Sequence, residues 1–369
     1  MTPFHWTADH VGKIAHGAIG RAPAIVGETV RRFAPELDLW DHWPVLEADG
    51  GLADFEGRHL VFFLSAPVFD DPDVRHGVAR LRLFSVAGDN WRDLGPVFPD
   101  GFSPGSREWA GSAIVDRDPD RIRLYFTATG ERGETSPTFQ QRIFVTCTPL
   151  DRSPDGWRPG LWSAPEELIR PDDVHYQSRH DGDGAVGTIK AFRDPFVFRD
   201  LATGREHMVF TGSCAASSSR WNGVVGWASR SDHGWTAMPP IVLATQVNNE
   251  LERPHVVQVA GRYHLFWSTQ SKVFAPGIDA PTGLYGIVAD HLDGPWSPLN
   301  GSGLVFANPV DAPDQAYSWQ VLPDLSVWSF ADRVAAPHRP AINPAIPFAG
   351  APAPRLRIRL NGDDAVLEA

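Results

Sequence analysis

One arrangement recurs five times along the chain and limits what it can fold into. Each copy has an apolar stretch, a polar turn and a second alternating stretch that ends in aromatic residues, which is the pattern of a β-hairpin. The second stretches cover residues 59–65, 122–127, 206–211, 263–268 and 325–330. Turn residues precede them at Glu56-Gly57, Asp116 to Asp120, Asp200 to Gly204, Ala260-Gly261 and Pro323-Asp324. After the first four comes a third strand-like run, at 80–86, 141–148, 223–229 and 283–289. A turn then follows with a tryptophan just beyond it: Trp91, Trp157, Trp235 and Trp296. Repeats longer than about 40 residues with four strands each are the pattern of propeller blades. Four full copies and a fifth hairpin predict an all-β chain, a five-bladed β-propeller with its active site in the central channel. The fifth blade needs further strands, and the alternating Arg355-Leu356-Arg357-Ile358-Arg359-Leu360 is the candidate to complete it. A β-sandwich with coincidental spacing is the alternative.

Residues 1–35 read as an N-terminal arm packing on the propeller, with Thr7 capping a short helix that starts Thr7-Ala8-Asp9-His10-Val11. Residues 36–369 read as a single catalytic propeller domain. The 42% hydrophobic content is enough for a sizeable core, and 34 glycines with 33 prolines point to many turns and few long helices. A formal net charge of −12 makes nucleic acid and anionic membrane poor partners. Lysine occurs only at Lys13, Lys190 and Lys272, a usage that reflects coding bias rather than chemistry. Cys147 and Cys214 both fall in strand-like runs and are expected to be buried thiols rather than a disulfide. No Cys/His cluster suggests zinc, and no cofactor is expected. The first residues have no apolar h-region, so no standard signal peptide is expected, which leaves a cytoplasmic home or a non-standard export route. No apolar run approaches 18 residues, the length needed to span a membrane as a helix.

The repeat also places the polar residues. The first strand of each propeller blade lines the central channel. At or just before those strands stand Trp40-Asp41, Glu108-Trp109-Ala110-Gly111-Ser112, Arg193-Asp194-Pro195, Glu250-Leu251-Glu252-Arg253-Pro254 and Tyr317-Ser318-Trp319. Residues far apart in sequence are thereby predicted to meet at one end of the channel. Retaining glycoside cleavage needs a carboxylate nucleophile and a carboxylic acid about 5 Å apart, with the acid's pKa raised and the nucleophile ionised. Asp41, Asp194 and Glu252 supply carboxylates. Trp40 and Trp43 are expected to wall Asp41 from water, Arg193 to hold Asp194 charged, and Arg253 to face a neighbouring carboxylate such as Glu250. Tryptophan rings suit the C–H faces of sugars. The plain alternative is a set of turn salt bridges and core tryptophans worth little to function.

The motifs Trp40-Asp41-x-Trp43-Pro44, Glu108-Trp109-x-Gly111-Ser112, Phe192-Arg193-Asp194-Pro195 and Glu250-Leu251-Glu252-Arg253-Pro254 resemble the bacterial levansucrase, inulosucrase and β-fructofuranosidase family. Tyr317-Ser318 looks like a further family site, and the resemblance covers roughly residues 36–335. The neighbouring invertase and fructan hydrolase family shares an Arg-Asp-Pro motif but normally starts with an Asn-Asp-Pro box, which is absent here. The resemblance implies a five-bladed propeller acting on sucrose. By it, Asp41 matches the nucleophile that forms a covalent fructosyl-enzyme and releases glucose. Asp194 matches the stabiliser that bonds fructosyl hydroxyls, and Glu252 the acid/base. Trp40, Trp109, Arg193, Glu250 and Tyr317 match sugar-binding positions.

Three departures from the family pattern bear on activity. Ala110 stands where many members have serine, removing a hydroxyl near the nucleophile. Ser268-Thr269-Gln270 stands where many levansucrases have arginine or histidine, on the glucose or acceptor side. Members that bind calcium carry aspartates where this chain has Asn249 and Thr188, so no metal is expected. The expected activity is that of a β-fructofuranosidase with transfructosylation, taking sucrose and small sugar acceptors. A levansucrase or inulosucrase that makes fructan is the alternative within the family, and a non-catalytic sugar-binding propeller is the alternative of another class.

Overall fold

The alternating runs become strands and the polar turns between them become hairpins. The computed structural model describes residues 2–16, 19–118, 120–154, 156–178, 189–336, 339–340, 345 and 347–368. Thr188, one of the two positions weighed for calcium, lies outside the described residues.

The chain is all-β, and its strands form consecutive antiparallel meanders. The first runs Leu37–Leu46, His59–Pro67, Arg80–Ala87 and Asn90–Pro96. The second runs Arg107–Arg117, Asp120–Thr129 and Gln141–Ser153, whose last strand pairs with both Gly156–Pro159 and Glu166–Ile169. The third is Phe192–Arg199, Glu206–Ser213, Gly223–Ser231 and Gly234–Leu243. The fourth is Glu252–Val259, Arg262–Thr269 and Gly283–Ala289, edged by Ser297–Pro298 and Leu304–Ala307. The fifth begins with Ala316–Val321 and Ser326–Ala331. Its outer strands come from the C-terminal segment, where Leu356–Asn361 pairs through Ser326↔Arg357 and Val327↔Leu356 and is followed by Asp364–Leu367. The segment 355–360 therefore does extend the fifth hairpin. The repeated tryptophans open the fourth strands: Trp91 pairs with Val86, Trp157 with Arg152 and Trp235 with Arg230, while Trp296 directly precedes Ser297–Pro298.

Successive first strands lie against one another. Val45 and Leu46 pair with Ala113 and Ile114 in parallel, joining the first two meanders into one sheet. Apolar residues of the strands fill the core between meanders, where Trp43, Trp267 and Trp319 are wholly buried.

The N-terminal residues cross two meanders. Thr7 caps the helix Ala8–Gly12 in a reciprocal capping box with His10, as its sequence predicted. Phe4 and His5 add a short parallel strand beside Val242 and Leu243. Trp6 is 1% exposed, packs edge-on against Trp267 and Tyr285, and donates from Nε1 to the Ser302 carbonyl at 2.9 Å. Asp38, at the entry to the first meander, is wholly buried between two guanidiniums, Arg32 at 3.1 Å and Arg339 at 2.8 Å.

The cysteines form no disulfide. Cys214 is buried as expected, but Cys147 is only half-buried. It alternates outward on its strand opposite Arg123, so the strand's buried face belongs to its neighbours.

Candidate active site

At the same position in every first strand the ladder slips. The register shifts between Leu39 and His42, Trp109 and Gly111, Arg193 and Phe196, Glu252 and His255, and Tyr317 and Gln320. A β-bulge of this kind ends pairing and re-aims side chains. Asp194, Arg253 and Ser318 have φ of 58°, 52° and 60°, a conformation that costs an arginine or serine energy and concentrates at functional sites. Pro44, Pro195 and Pro254 sit beside three of the bulges and offer no ladder donor. At the second bulge a Cβ on Gly111 would stand 1.9 Å from the Tyr125 carbonyl, so only glycine fits.

The bulges turn their side chains into one pocket of about 540 Å³. Its lining includes Trp40, Asp41, Trp109, Ala110, Arg193, Asp194, Glu250, Glu252, Gln270 and Tyr317, so ten of the eleven residues singled out from sequence meet there. Arg253 is the eleventh and lies behind the wall. Its guanidinium sits over the Trp43 ring at 5.2 Å and donates to the His42 carbonyl at 3.0 Å. It faces Asp41 and Asp194 rather than Glu250, which corrects the expected pairing. Glu250 is instead met by Arg193, at 3.5 Å. The reason is the bulge, which at φ 52° swings Arg253 away from the side its neighbours occupy. Trp43 likewise does not wall Asp41: it is fully buried under Arg253, while Trp40 lines the pocket. Glu108 is buried away from the pocket, accepting from the Leu81 amide at 3.2 Å.

Polar contacts fix each carboxylate. Asp194 Oδ2 accepts from Thr211 Oγ1 at 3.0 Å and from the Arg253 amide at 3.2 Å. The Asp194 amide donates to Thr127 Oγ1 at 3.0 Å, and that hydroxyl donates to the Ala110 carbonyl at 2.9 Å. Arg193 Nη2 donates to Glu252 Oε1 at 3.0 Å, and the Tyr317 hydroxyl donates to Glu252 Oε2. His255 donates from Nδ1 to the Arg253 carbonyl at 3.0 Å while its Nε2 accepts from the Val321 amide at 2.8 Å. Burial pushes that imidazole down to about 4, so it stays neutral and able to accept.

Carboxylates crowded together and shielded by burial resist ionisation. Burial raises Asp41 to about 6, Arg253 opposes the rise, and the charges of Asp194 and Glu252 add to it. Burial also raises Asp194, with Arg193 the main opposing charge. Glu250 is pushed up to about 7 by burial and by Glu252, against the pull of Arg193. Asp41, Asp194 and Glu252 therefore lie close enough to feel one another.

Several pocket residues escaped the sequence reading: Asp73, Arg75, His76, Lys272, Asp314, Asp332 and Arg333. Most follow the second strand of a meander, as Gln270 does. The repeat that exposed Gln270 also marks Asp332-Arg333, which directly follow Ser326–Ala331. Among the described residues, no group of three or more His, Cys, Asp or Glu side chains stands where it could hold a metal ion.

Three mutually coupled carboxylates, a bridging guanidinium and indole walls define a site for cleaving or transferring sugars through carboxylate chemistry. The chain belongs to the family described as Levansucrase/Invertase, which matches it over residues 1–226 and 219–369. It is 30% identical over 410 residues to the levansucrase of Rahnella aquatilis, covering 100% of this chain and 94% of that one. To levansucrase LscC of Pseudomonas savastanoi pv. glycinea it is 32% identical over 368 residues, covering 88% and 81%. The solved inulosucrase from Halalkalicoccus jeotgali, bound to kestose, superposes with a TM-score of 0.89 at 36% identity over 99% of this chain and 95% of that one.

Proposed function

We propose that the chain is a five-bladed β-propeller that cleaves sucrose with retention and passes the fructosyl group to water or a sugar. The blades are the meanders, with residues 1–35 as an arm across them and 36–369 as one catalytic domain. Membership of a family of sucrose-acting fructosyltransferases supports the reaction. The observation that carries the assignment of roles is the single pocket in which Arg193 and Tyr317 grip the two oxygens of Glu252 beside Asp41 and Asp194.

Asp41 is the nucleophile. Above its pKa of about 6 it is ionised and attacks the anomeric carbon of the fructosyl unit. Glu252 gives a proton to the glycosidic oxygen, and glucose leaves as the fructosyl–Asp41 ester forms. Glu252 then takes a proton from water or a sugar hydroxyl, which attacks the same carbon and restores Asp41. Asp194, beside Arg193, bonds fructosyl hydroxyls and supports the positive charge that develops on the ring. Trp40 and Trp109 stack on the sugar, with Ala110 adding an apolar contact. Arg193, Glu250 and Tyr317 bind hydroxyls, and Arg253 holds Asp41 from behind. Gln270 stands on the acceptor side. Its single amide favours hydrolysis and short oligosaccharides, the output of a β-fructofuranosidase with transfer activity. Fructan polymer, as from a levansucrase or inulosucrase, is the second reading. Glucose released from sucrose tests the reaction, and free fructose against oligomer and polymer separates the two readings. A folded protein that binds sucrose but releases no glucose leaves only a sugar-binding propeller.

A further inference from the structure

Lys190 is one of three lysines in a chain of 369 residues and lies outside the pocket lining. Its ammonium donates to the Arg220 carbonyl at 2.5 Å, to Asn222 Oδ1 at 2.7 Å and to Asn249 Oδ1 at 2.6 Å. An ammonium has three donors, and all three are used. The Asn222 amide is held the right way round, because its Nδ2 donates to the Cys214 carbonyl at 2.9 Å and to Gln177 Oε1 at 3.1 Å. Three uncharged oxygens from two segments, 220–222 and Asn249, thus converge on one cation carried by a third. A guanidinium is planar and longer and does not fit a compact three-way point of this kind.

The three segments are those that matter to the pocket. Lys190 leads into the strand Phe192–Arg199, which carries Arg193 and Asp194. Asn249 directly precedes Glu250 and leads into the strand Glu252–Val259. Asn222 leads into Gly223–Ser231, the third strand of the meander that holds Asp194. Across the joint, Arg193 must meet Glu252 at 3.0 Å and Glu250 at 3.5 Å. The two strands belong to different meanders, and a small slip between them breaks both contacts.

We propose that Lys190 is a positioning residue for fructosyl transfer: its tethered cation fixes the segment bearing Arg193 and Asp194 against the segment bearing Glu250 and Glu252. The proposal rests on the functional reading above, which assigns those four residues to one reaction. Removing the ammonium leaves every pocket group in place chemically but loosens the distance between acid/base and stabiliser. Misplacement by about 1 Å lowers turnover by up to about 10²-fold.

The test is Lys190→Ala on the full chain, assayed by glucose release from sucrose beside the wild type. The expected result is kcat lower by about 10- to 100-fold with KM changed by no more than about twofold. Methylammonium, which brings back a small cation with three donors, should restore kcat several-fold, and tetramethylammonium, which has none, should not. A lysine with a merely structural role shifts thermal stability without that rescue. Asn249→Leu keeps Lys190 and removes one acceptor; it should lower kcat and show no response to either amine. Wild-type kcat in folded Lys190→Ala, or a loss that methylammonium does not reverse, overturns the proposal. Should Lys190→Ala fail to fold, wild-type kcat in Asn249→Leu overturns it instead. A wild type that releases no glucose defeats the functional reading and this proposal with it, whereas an active wild type with unaffected variants defeats the proposal alone.

Discussion

Asp41→Asn should abolish turnover and stabilise the fold, and the size of the gain follows from the site. Asp41 ionises at about 6 in the folded chain, against a usual value of 3.8. At about 1.36 kcal/mol per pH unit, that difference makes its charge about 3 kcal/mol more costly folded than unfolded. The carboxylate is only half-buried and faces an open pocket, so screening by solvent reduces the expected gain to about 1–2 kcal/mol. Asparagine keeps the shape and carries no charge. The dependence on pH has a definite sign. Below about 4 aspartate is protonated folded and unfolded, so the variant gains nothing. Between about 4 and 6 the folded state holds the proton that the unfolded state has lost, and wild-type stability falls as pH rises. Above about 6 the full cost is present. Thermal unfolding of both proteins at pH 7.5 and 4.5 measures this, and the variant of this long chain should melt about 1–3 °C higher at the former. A variant no more stable than wild type at pH 7.5, or a gain undiminished at pH 4.5, refutes the electrostatic account of the pocket. With Asp41 as the proposed nucleophile, kcat/KM of the wild type should fall on the acid side near pH 6, as Asp41 takes up its proton.

Other outcomes follow from neighbouring groups. Glu252→Gln keeps its bonds' geometry but cannot transfer a proton, so turnover on sucrose should fall by about 10²–10⁴ with little change in binding; near-normal turnover would move the role to Glu250. Chelator should leave melting temperature and activity unchanged, because calcium prefers several charged oxygens and the Lys190 ammonium already takes the Asn222 and Asn249 oxygens; a drop of several degrees restored by calcium would contradict this. Gln270→Arg or Gln270→His should shift the ratio of transfer to hydrolysis several-fold, about 1 kcal/mol, since arginine offers five fixed donors where glutamine offers two. Product analysis on concentrated sucrose checks it, and an unchanged ratio in both variants would place acceptor control elsewhere on the rim.

The hairpins and the carboxylates were legible because both are local signals. Alternation over six or seven residues marks a strand, and Asp41, Arg193-Asp194 and Glu252-Arg253 sit at fixed places within the repeat. The bulges were not legible, because no residue type announces a positive φ at Arg253 or Ser318. The orientation of Arg253 went with them: adjacency in sequence suggested Glu250 as its partner, while the backbone turned it onto Trp43 and toward Asp41. The pairing of Phe4 and His5 with Val242 and Leu243 spans most of the chain and leaves no periodic trace. Arg75, His76 and Lys272 stand in connections without alternation, where only their place after a second strand could have pointed to them.

That division between strand and connection also divides the chemistry. The groups assigned to the fructosyl unit stand on or beside bulged first strands and are locked by buried hydroxyls: Thr127 and Thr211 hold Asp194, and both are wholly buried. Changing either threonine removes a buried hydrogen bond that holds Asp194 in place. Gln270, Lys272, Asp332 and Arg333 stand on connections between second and third strands, where substitution disturbs no ladder. A rim of this kind can change its donors without disturbing the nucleophile or the acid/base. Ala110 belongs to the other side, since its carbonyl accepts from the same Thr127 hydroxyl that receives the Asp194 amide. On the proposed roles its missing hydroxyl bears on how fast the fructosyl ester forms and breaks, whatever acceptor takes it, while Gln270 bears on which acceptor does. Ala110→Ser should accordingly change turnover at an unchanged product ratio, and a shift in the ratio instead would show that the two sides of the pocket are not independent.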